Sequence, residues 1–290
     1  MGDNFRENDF QFHRNEEWYR SIVTCASHLQ NINAYPLSVS MLTTTPRPQL
    51  VHLHLYTSTV LDLAALLDLS PHLEDIHIHE ITRNEGAITT VVRQERLSHL
   101  RIDTAGVDFL EALSLPGLTH LQCSMCNNDE AWPTPASVAF FHRSDCMLQS
   151  LLLYGSDISA SLADILLSQT SLSVLNLQRV SHFQDTRASI LPTPVLDFFG
   201  KNLHRFTSLT SLSFAIGARQ VPRAQKMLAA VLESRKEGGS HKMHWYLRIA
   251  MSTDSSTPSG QKMLLNHGEL LNPVVLDLRD LGVNVDVRHC

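Results

Sequence analysis

Long apolar runs are missing from this sequence of 290 residues. Uninterrupted apolar stretches such as LLLY fall far short of the roughly 18 residues that a membrane span needs. The opening stretch, MGDNFRENDFQFHRNEEW, mixes both charges and contains no apolar segment of the kind found in a signal peptide. We therefore expect an intracellular protein, cytoplasmic or nuclear, with no membrane partner.

Cysteine is scarce, and its five residues are irregularly spaced, which argues against a disulfide framework. Lys and Arg number 23 against 29 Asp and Glu, so the mildly acidic chain gives no reason to expect nucleic acid as a partner. The patterns GxGxxG, GxxxxGK[ST], HExxH and GxSxG are all absent. Accordingly we expect no cofactor and no enzymatic activity.

One short pattern, L-x-x-L-x-L, recurs along most of the chain. The copies are LVHLHL (50–55), LEDIHI (73–78), LSHLRI (97–102), LTHLQC (118–123), LQSLLL (148–153), LSVLNL (172–177) and LTSLSF (209–214), with a weaker copy at HWYLRI (244–249). The early copies are spaced like leucine-rich repeats, whose period is about 20 to 29 residues. Apolar and polar residues alternate within each copy, which predicts a half-buried strand.

Stretches with helical periodicity lie between the copies. They are VLDLAALLDLSP (60–71), VDFLEALSLPG (107–117), TPASVAFFHRSDC (134–146), SLADILLSQT (161–170), PTPVLDFFGKN (192–202) and PRAQKMLAAVLESRKEGG (222–239). Strand followed by helix, repeated, predicts an α/β leucine-rich-repeat solenoid: a curved horseshoe with a parallel sheet on its concave face and helices on its convex face.

We predict one continuous domain of eight or nine parallel strands. Residues 1–47 would supply an N-terminal helix, near 16–32, and a capping strand. The solenoid would occupy 48–290, with a C-terminal cap near 272–290 made of a helix and a closing strand. The inward positions would be Leu53, Leu55, Ile76, Ile78, Leu100, Ile102, Leu121, Cys123, Leu151, Leu153, Leu175, Leu177, Leu212 and Phe214.

Four residues resemble a zinc site by spacing, namely Cys123, Cys126, His142 and Cys146. The repeat pattern explains two of them without a metal. Cys123 occupies the third leucine position, and Cys126 occupies the ninth position of the repeat, where Asn or Cys turns inward and bonds the backbone. We therefore predict no metal, and a zinc-binding protein remains the alternative.

Side chains that alternate with the inward ones would line the concave face. Histidine is prominent among them, and six histidines from four neighbouring repeats would share one patch. We predict that this patch binds a protein ligand through an acidic or pH-dependent contact, because imidazoles titrate near about pH 6.5. The predicted binding residues are His52, His54, Tyr56, Asp75, His77, His79, His99, Arg101, Asp103, His120, Gln122, Tyr154 and Asn176.

The order of these parts resembles a known family. A helix and the strand-like PLSVSML lead into PQLVHLHL, followed by PHLEDIHI, PGLTHLQC and a final DLGVNVDV. This arrangement is similar to the region after the F-box in mushroom F-box proteins, a fungal family with leucine-rich repeats. The resemblance implies that the repeats select targets for a ubiquitin ligase containing an adaptor and a cullin.

The helical F-box itself, with its L-P-x-E-like start, is not recognisable in residues 1–50. A truncated or divergent member of the family would explain this departure. A free-standing leucine-rich-repeat scaffold, acting without the ligase, would explain it as well.

Overall fold

The chain folds into an α/β structure in which strands and helices alternate along the sequence. The computed structural model describes residues 30–38, 46, 48–82, 91–105, 109–125, 131–154, 158–178, 191–217, 220–237, 244–251 and 283–289. A parallel sheet of ten strands forms one layer, and helices pack against one of its faces. The α/β class and the parallel sheet expected from the sequence are confirmed.

The strands of this sheet lie side by side in chain order, and every neighbouring pair is parallel. They are β1 (Asn31–Ser38), β2 (His52–Thr59), β3 (Asp75–Thr82), β5 (His99–Ala105), β7 (His120–Met125), β8 (Ser150–Tyr154), β9 (Val174–Gln178), β10 (Ser211–Gly217), β11 (His244–Met251) and β12 (Val283–His289). Two short strands, β4 (Val92–Arg93) and β6 (Leu113–Ser114), pair separately. The ten strands exceed the eight or nine expected, because one strand is added at each edge of the eight that contain the repeated motif.

The described helices coincide with five of the six predicted segments. They are α1 (Val60–Leu69), α2 (Pro135–Ser144), α3 (Leu162–Ser168), α4 (Thr193–Asn202) and α5 (Val221–Glu237), with 3₁₀ turns at Phe109–Ala112 and Leu203–Arg205. Thr59 and Thr134 cap α1 and α2, since each hydroxyl accepts a hydrogen bond from the backbone N–H three residues later. Among the described helices, none is both long and apolar enough to cross a membrane.

The helix predicted over 107–117 is wrong. Its described part contains the 3₁₀ turn Phe109–Ala112 and then β6. This is the shortest interval between copies of the motif, so little chain is available for a full helix. Arg143 of α2 satisfies the carbonyl groups instead, because its guanidinium donates to Leu110, Glu111 and Leu113 over 2.8 to 3.1 Å.

The two predicted caps fall mostly outside the described residues. The N-terminal helix was expected to run to residue 32, but Asn31 and Ile32 already belong to β1, so that boundary is wrong. The part of this helix before residue 30 lies outside the description. At the other end, the closing strand is present as β12, whereas the helix expected to open at Asn272 lies outside the described residues.

The core fills the space between the sheet and the helices, and all fourteen predicted inward residues are buried. The pairing register brings equivalent motif positions side by side. Leu53 aligns with Ile76, and Ile76 aligns with Leu100. Leu63, Leu66 and Leu67 of α1 and the phenylalanines of α2 and α4 close the core from the other side. Register is strongly specified here because a slip by one residue would expose every one of these side chains.

Two buried glutamines satisfy backbone groups where the chain turns. Gln169, at the end of α3, donates to the carbonyl of Cys146 at 3.0 Å and accepts from the N–H of Leu148 at 2.7 Å. Gln94 donates to the carbonyl of Ser70 at 3.0 Å. Their apolar surroundings would otherwise leave these polar groups without partners.

A charge at the inward position of β9 should unfold the protein. Leu175 is fully buried, so Leu175→Asp places a carboxylate without a partner in the core, which costs several kcal/mol against a total stability of about 5 to 15 kcal/mol. Val174→Asp is the matched control because Val174 is only partly buried on the opposite face. Urea denaturation followed by circular dichroism would compare them, and equal unfolding midpoints would contradict the inward assignment.

Two glycines should respond oppositely to alanine. A Cβ at Gly117 would overlap the carbonyl oxygen of Glu95, so Gly117→Ala should destabilise the fold by about 1 to 3 kcal/mol. A Cβ at Gly200 in α4 would lie 3.9 Å from Cγ of Met227, its nearest neighbour, which is an ordinary van der Waals contact. Gly200→Ala should therefore raise the free energy of unfolding by about 0.5 to 1 kcal/mol. The free energy of unfolding measures both, and a tolerated Gly117→Ala would disprove the close contact.

Candidate binding face

The side of the sheet opposite the core helices presents polar side chains, and we call its part on β2, β3, β5, β7, β8 and β9 the polar face. All thirteen predicted binding residues lie on it. Strand register arranges them in three rows, which are His52, Asp75, His99 and His120; His54, His77, Arg101, Gln122 and Asn176; and Tyr56, His79, Asp103 and Tyr154. Six histidines from four neighbouring repeats are therefore brought together, as the sequence predicted.

Asp103 is the centre of the hydrogen-bonded network on this face. One carboxylate oxygen accepts from Nε of Arg101 at 2.9 Å. The other accepts from Nε2 of His77 at 2.8 Å, with Nδ1 of His79 at 3.4 Å from the same atom. Both oxygens are thus engaged by neighbouring cationic or protonatable groups. The carboxylate fixes the positions of three side chains from two strands.

Aromatic rings stack across strands on either side of this centre. His54 and His77 have ring centroids 4.1 Å apart and planes inclined by 6°. His99 and His120 stack at 4.1 Å and 12°, and Tyr56 lies over His79 at 5.2 Å. Such spacing follows from the distance of about 4.8 Å between neighbouring strands. Identical or similar side chains at equivalent motif positions are therefore held face to face.

A row of hydroxyl groups sets the orientation of two histidines. Ser98, Thr119, Ser173 and Thr210 occupy the second motif position, and each donates over 2.8 to 3.1 Å to the carbonyl at the same position of the preceding repeat. Since each hydroxyl hydrogen is used in this way, the hydroxyl oxygens act as acceptors towards the histidines. Ser98 accepts from Nδ1 of His99 at 2.8 Å, and Thr119 accepts from Nδ1 of His120 at 2.9 Å. Both rings then carry hydrogen on Nδ1, which leaves Nε2 for a partner.

Sequence reasoning missed this hydroxyl row. The signal was present, because Ser or Thr recurs at the second position in LSHL, LTHL, LSVL and LTSL. Their role depends on parallel pairing with the preceding repeat, whose carbonyl groups they reach.

Burial shifts the protonation of three groups on the polar face. Burial lowers the pKa of His54, and repulsion from His77 lowers it further. Burial likewise lowers the pKa of His120, with repulsion from His99. For Asp103 burial alone would raise the pKa, but the hydrogen bonds from His77 and Arg101 outweigh it, so the pKa of this carboxyl lies below its usual range. The carboxylate is therefore charged while both of these imidazoles favour the neutral form.

The far side of the polar face is less charged. Asn176 contacts the hydroxyl of Tyr154 through Nδ2 at 3.5 Å, and its buried Oδ1 has no hydrogen-bond partner among the described residues. Burial raises the pKa of Tyr154, so its hydroxyl keeps its proton. Leu152 and Gln122 lie between this pair and Arg101, and both are half-buried. A partner crossing the face would thus meet apolar and amide surface beside the histidines.

The two described cysteines belong to the core rather than to this face. Cys123 and Cys146 are buried, whereas His142 is exposed on α2 and Cys126 lies outside the described residues. Burial raises the pKa of Cys146 to about 12, which disfavours the thiolate that a metal requires. Within the part of the chain that the structure describes, no group of three or more His, Cys, Asp or Glu side chains could hold a metal ion.

Comparison with known proteins does not assign this face. No protein-family model matches the chain, and no curated protein matches it. The chemistry of the polar face is therefore the basis for assigning a function.

Stability should fall as the pH is lowered from about 7.5 to about 5.5. The lowered pKa values of His54 and His120 mean that the fold favours their neutral forms. Their contribution is fully present above the unfolded imidazole pKa of about 6.5 and is lost as the pH falls from there through the folded values. Urea midpoints measured across this range would show the decline.

A pair of variants tests the origin of this decline. His54→Gln combined with His120→Gln should flatten the dependence of the urea midpoint on pH. His72→Gln combined with His142→Gln removes two exposed histidines elsewhere and should retain the parent slope. If both pairs keep the slope of the parent, the two buried imidazoles are not its source.

Proposed function

We propose that this chain is a protein-interaction module of the leucine-rich-repeat type, and that the polar face is its concave ligand-binding surface. The observation that carries the proposal is the division of the sheet into two faces. Each motif turns its leucine-type positions into the core, while equivalent positions on the other face present a continuous set of histidine, arginine, aspartate and tyrosine side chains. Repeat proteins use extended surfaces of this kind to hold other proteins.

Several features support a solenoid arrangement. The strands follow one another across the sheet in chain order, so each repeat contacts chiefly its two neighbours. Hydroxyl groups at equivalent positions repeat the same contact from one strand to the next. A layer of strands at about 4.8 Å spacing beside a layer of wider helices favours curvature towards the strands.

The resemblance to mushroom F-box proteins gives the proposal a cellular setting. In that setting the repeats would select a target protein, and an adaptor and a cullin would complete a ubiquitin ligase. The alternative is a scaffold that binds its partner without the ligase. Both place the partner on the polar face. They differ in whether the chain also binds an adaptor and a cullin.

A steric block on the polar face should abolish partner capture. Ser124 is half-buried on β7 beside Tyr154, so Ser124→Trp would place a bulky ring in the path of a docking protein without altering the histidines. Ala139→Trp is the matched control because Ala139 is exposed on α2. Tagged parent and variants would be recovered from extracts of the source cells, and their bound proteins compared by mass spectrometry.

We expect the parent and Ala139→Trp to capture the same proteins and Ser124→Trp to lose the target. An adaptor and a cullin that persist with Ser124→Trp would support the ligase setting, and their absence from every sample would favour the scaffold. Loss of partners with Ala139→Trp alone would refute the proposal and move the interface to the helical layer. Circular dichroism would verify that each variant is folded.

A further inference from the structure

The polar face has many hydrogen-bond donors and few carboxylates. Along β2, β3, β5 and β7 it presents six histidines and one arginine against two aspartates. Asp103 is engaged at both oxygens by Arg101 and His77. The carboxylate of Asp75 lies 3.9 Å from Nδ1 of His52. A basic partner would therefore have to compete with Arg101 and His77 for Asp103, whereas an acidic partner would not.

The donors that remain are directed outward. His99 and His120 use Nδ1 for the hydroxyls of Ser98 and Thr119, so a proton added to either ring goes to Nε2. Arg101 is half exposed and uses Nε for Asp103, while a guanidinium has five N–H donors in all. A carboxylate approaching the face thus finds charge-assisted donors in fixed positions.

The charge of this face depends on the imidazoles. With every histidine neutral, the two aspartates slightly outweigh Arg101. With the histidines protonated, the same surface becomes strongly cationic, although the whole chain has a formal charge of −6 when histidine is neutral. A partner that carries negative charge would stabilise the protonated rings, so its binding and proton uptake are linked.

Groups from every neighbouring strand take part in this balance. His54 faces His77 and His79 of β3 together with Arg101 and Asp103 of β5. His120 faces His99, and His52 faces Asp75. Repulsion within each stacked pair opposes a second charge, and Asp103 offsets this repulsion only around His77 and His79. The stacked pair of His99 and His120 lies away from Asp103 and therefore gains from an external carboxylate.

We propose that the polar face docks an acidic polypeptide segment, rich in Asp and Glu, and takes up protons when it does so. This inference rests on the proposed function and specifies its partner. Carboxylates of the segment accept from Arg101 and from protonated His52, His99 and His120. Docking is consequently weak above neutral pH and tightens on acidification.

A polypeptide fits this face better than a nucleic acid does. Single-stranded nucleic acids bind by stacking bases on free aromatic faces and by placing phosphates along a basic groove. Here two histidine pairs and the pair of Tyr56 and His79 already stack on one another. Arg101 is the permanently cationic residue among the predicted binding residues, and a nearly neutral face suits carboxylates that bind through imidazoles.

The test uses a fluorescent glutamate-rich peptide and the full chain, with a glutamine-rich and a lysine-rich peptide of equal length as controls. Dissociation constants would be measured at constant ionic strength at about pH 7.5 and about pH 5.5, on either side of the imidazole pKa. The glutamate peptide should bind about tenfold more tightly at the lower pH, as a mean uptake of about half a proton over these two pH units would require. The control peptides should show no such gain.

Two matched variants locate the effect. His52→Gln, His99→Gln and His120→Gln together remove the first-row imidazoles and leave the Asp103 network intact. His72→Gln, His142→Gln and His204→Gln together remove three exposed histidines elsewhere. The first triple variant should lose most of the gain on acidification, and the second should keep it. Calorimetry in buffers of different ionisation enthalpy should show net proton uptake for the parent.

Several results would overturn the inference. These are equal affinity of the parent at both pH values, retention of the gain by the first-row triple variant, its loss in the control triple variant, an absence of proton uptake, or a single-stranded oligonucleotide that binds as tightly as the glutamate peptide. If any of these occurs while Ser124→Trp still abolishes partner capture, the polar face is the interface and only the acidic chemistry is wrong. If Ser124→Trp captures every partner, the proposed function itself fails.

Discussion

Burial of every second strand residue on one side of a parallel sheet is the constraint on which the rest of this structure depends. Leu53, Ile76, Leu100 and Leu121 lie next to one another because their motifs are in register. A shift by one residue would move all of them to the other face, so burial of these residues specifies the register of the strands at these positions. The side chains between them are then aligned as well. The rows of side chains on the polar face therefore follow from the strand register that the core imposes.

That inherited order explains the chemistry of the polar face. Parallel strands in register place like beside like, which is how His54 comes to stack on His77 and His99 on His120. Burial and a stacked neighbour lower the pKa of His54 and His120, whereas both oxygens of Asp103 are engaged by Arg101 and His77. A single surface thus combines an ionic network near its centre with imidazoles on either side that favour the neutral form.

Docking on the polar face and preference for an acidic segment depend on different properties of this surface. Docking on the polar face depends on shape and exposure, which the fold supplies for any partner of suitable form. Preference for an acidic segment depends on the protonation of particular rings and on carboxylates that are already engaged. A steric variant and a histidine variant therefore test different physical properties of the same surface.

Local periodicity was sufficient to predict the eight strands that contain the motif, five of the helices, the inward residues and the membership of the polar face. It failed over 107–117, where Arg143 from a distant helix satisfies a 3₁₀ turn, and it overlooked the hydroxyl row. It also left Asp103 as one polar residue among many. Folding brings Asp103 into contact with His77, His79 and Arg101. It also places the hydroxyls of Ser98 and Thr119 where they orient two imidazoles. These contacts join strands that are more than twenty residues apart in the sequence, or they depend on the pairing of such strands. Periodicity along the chain holds no information about rotamers or about hydrogen-bond partners on a neighbouring strand.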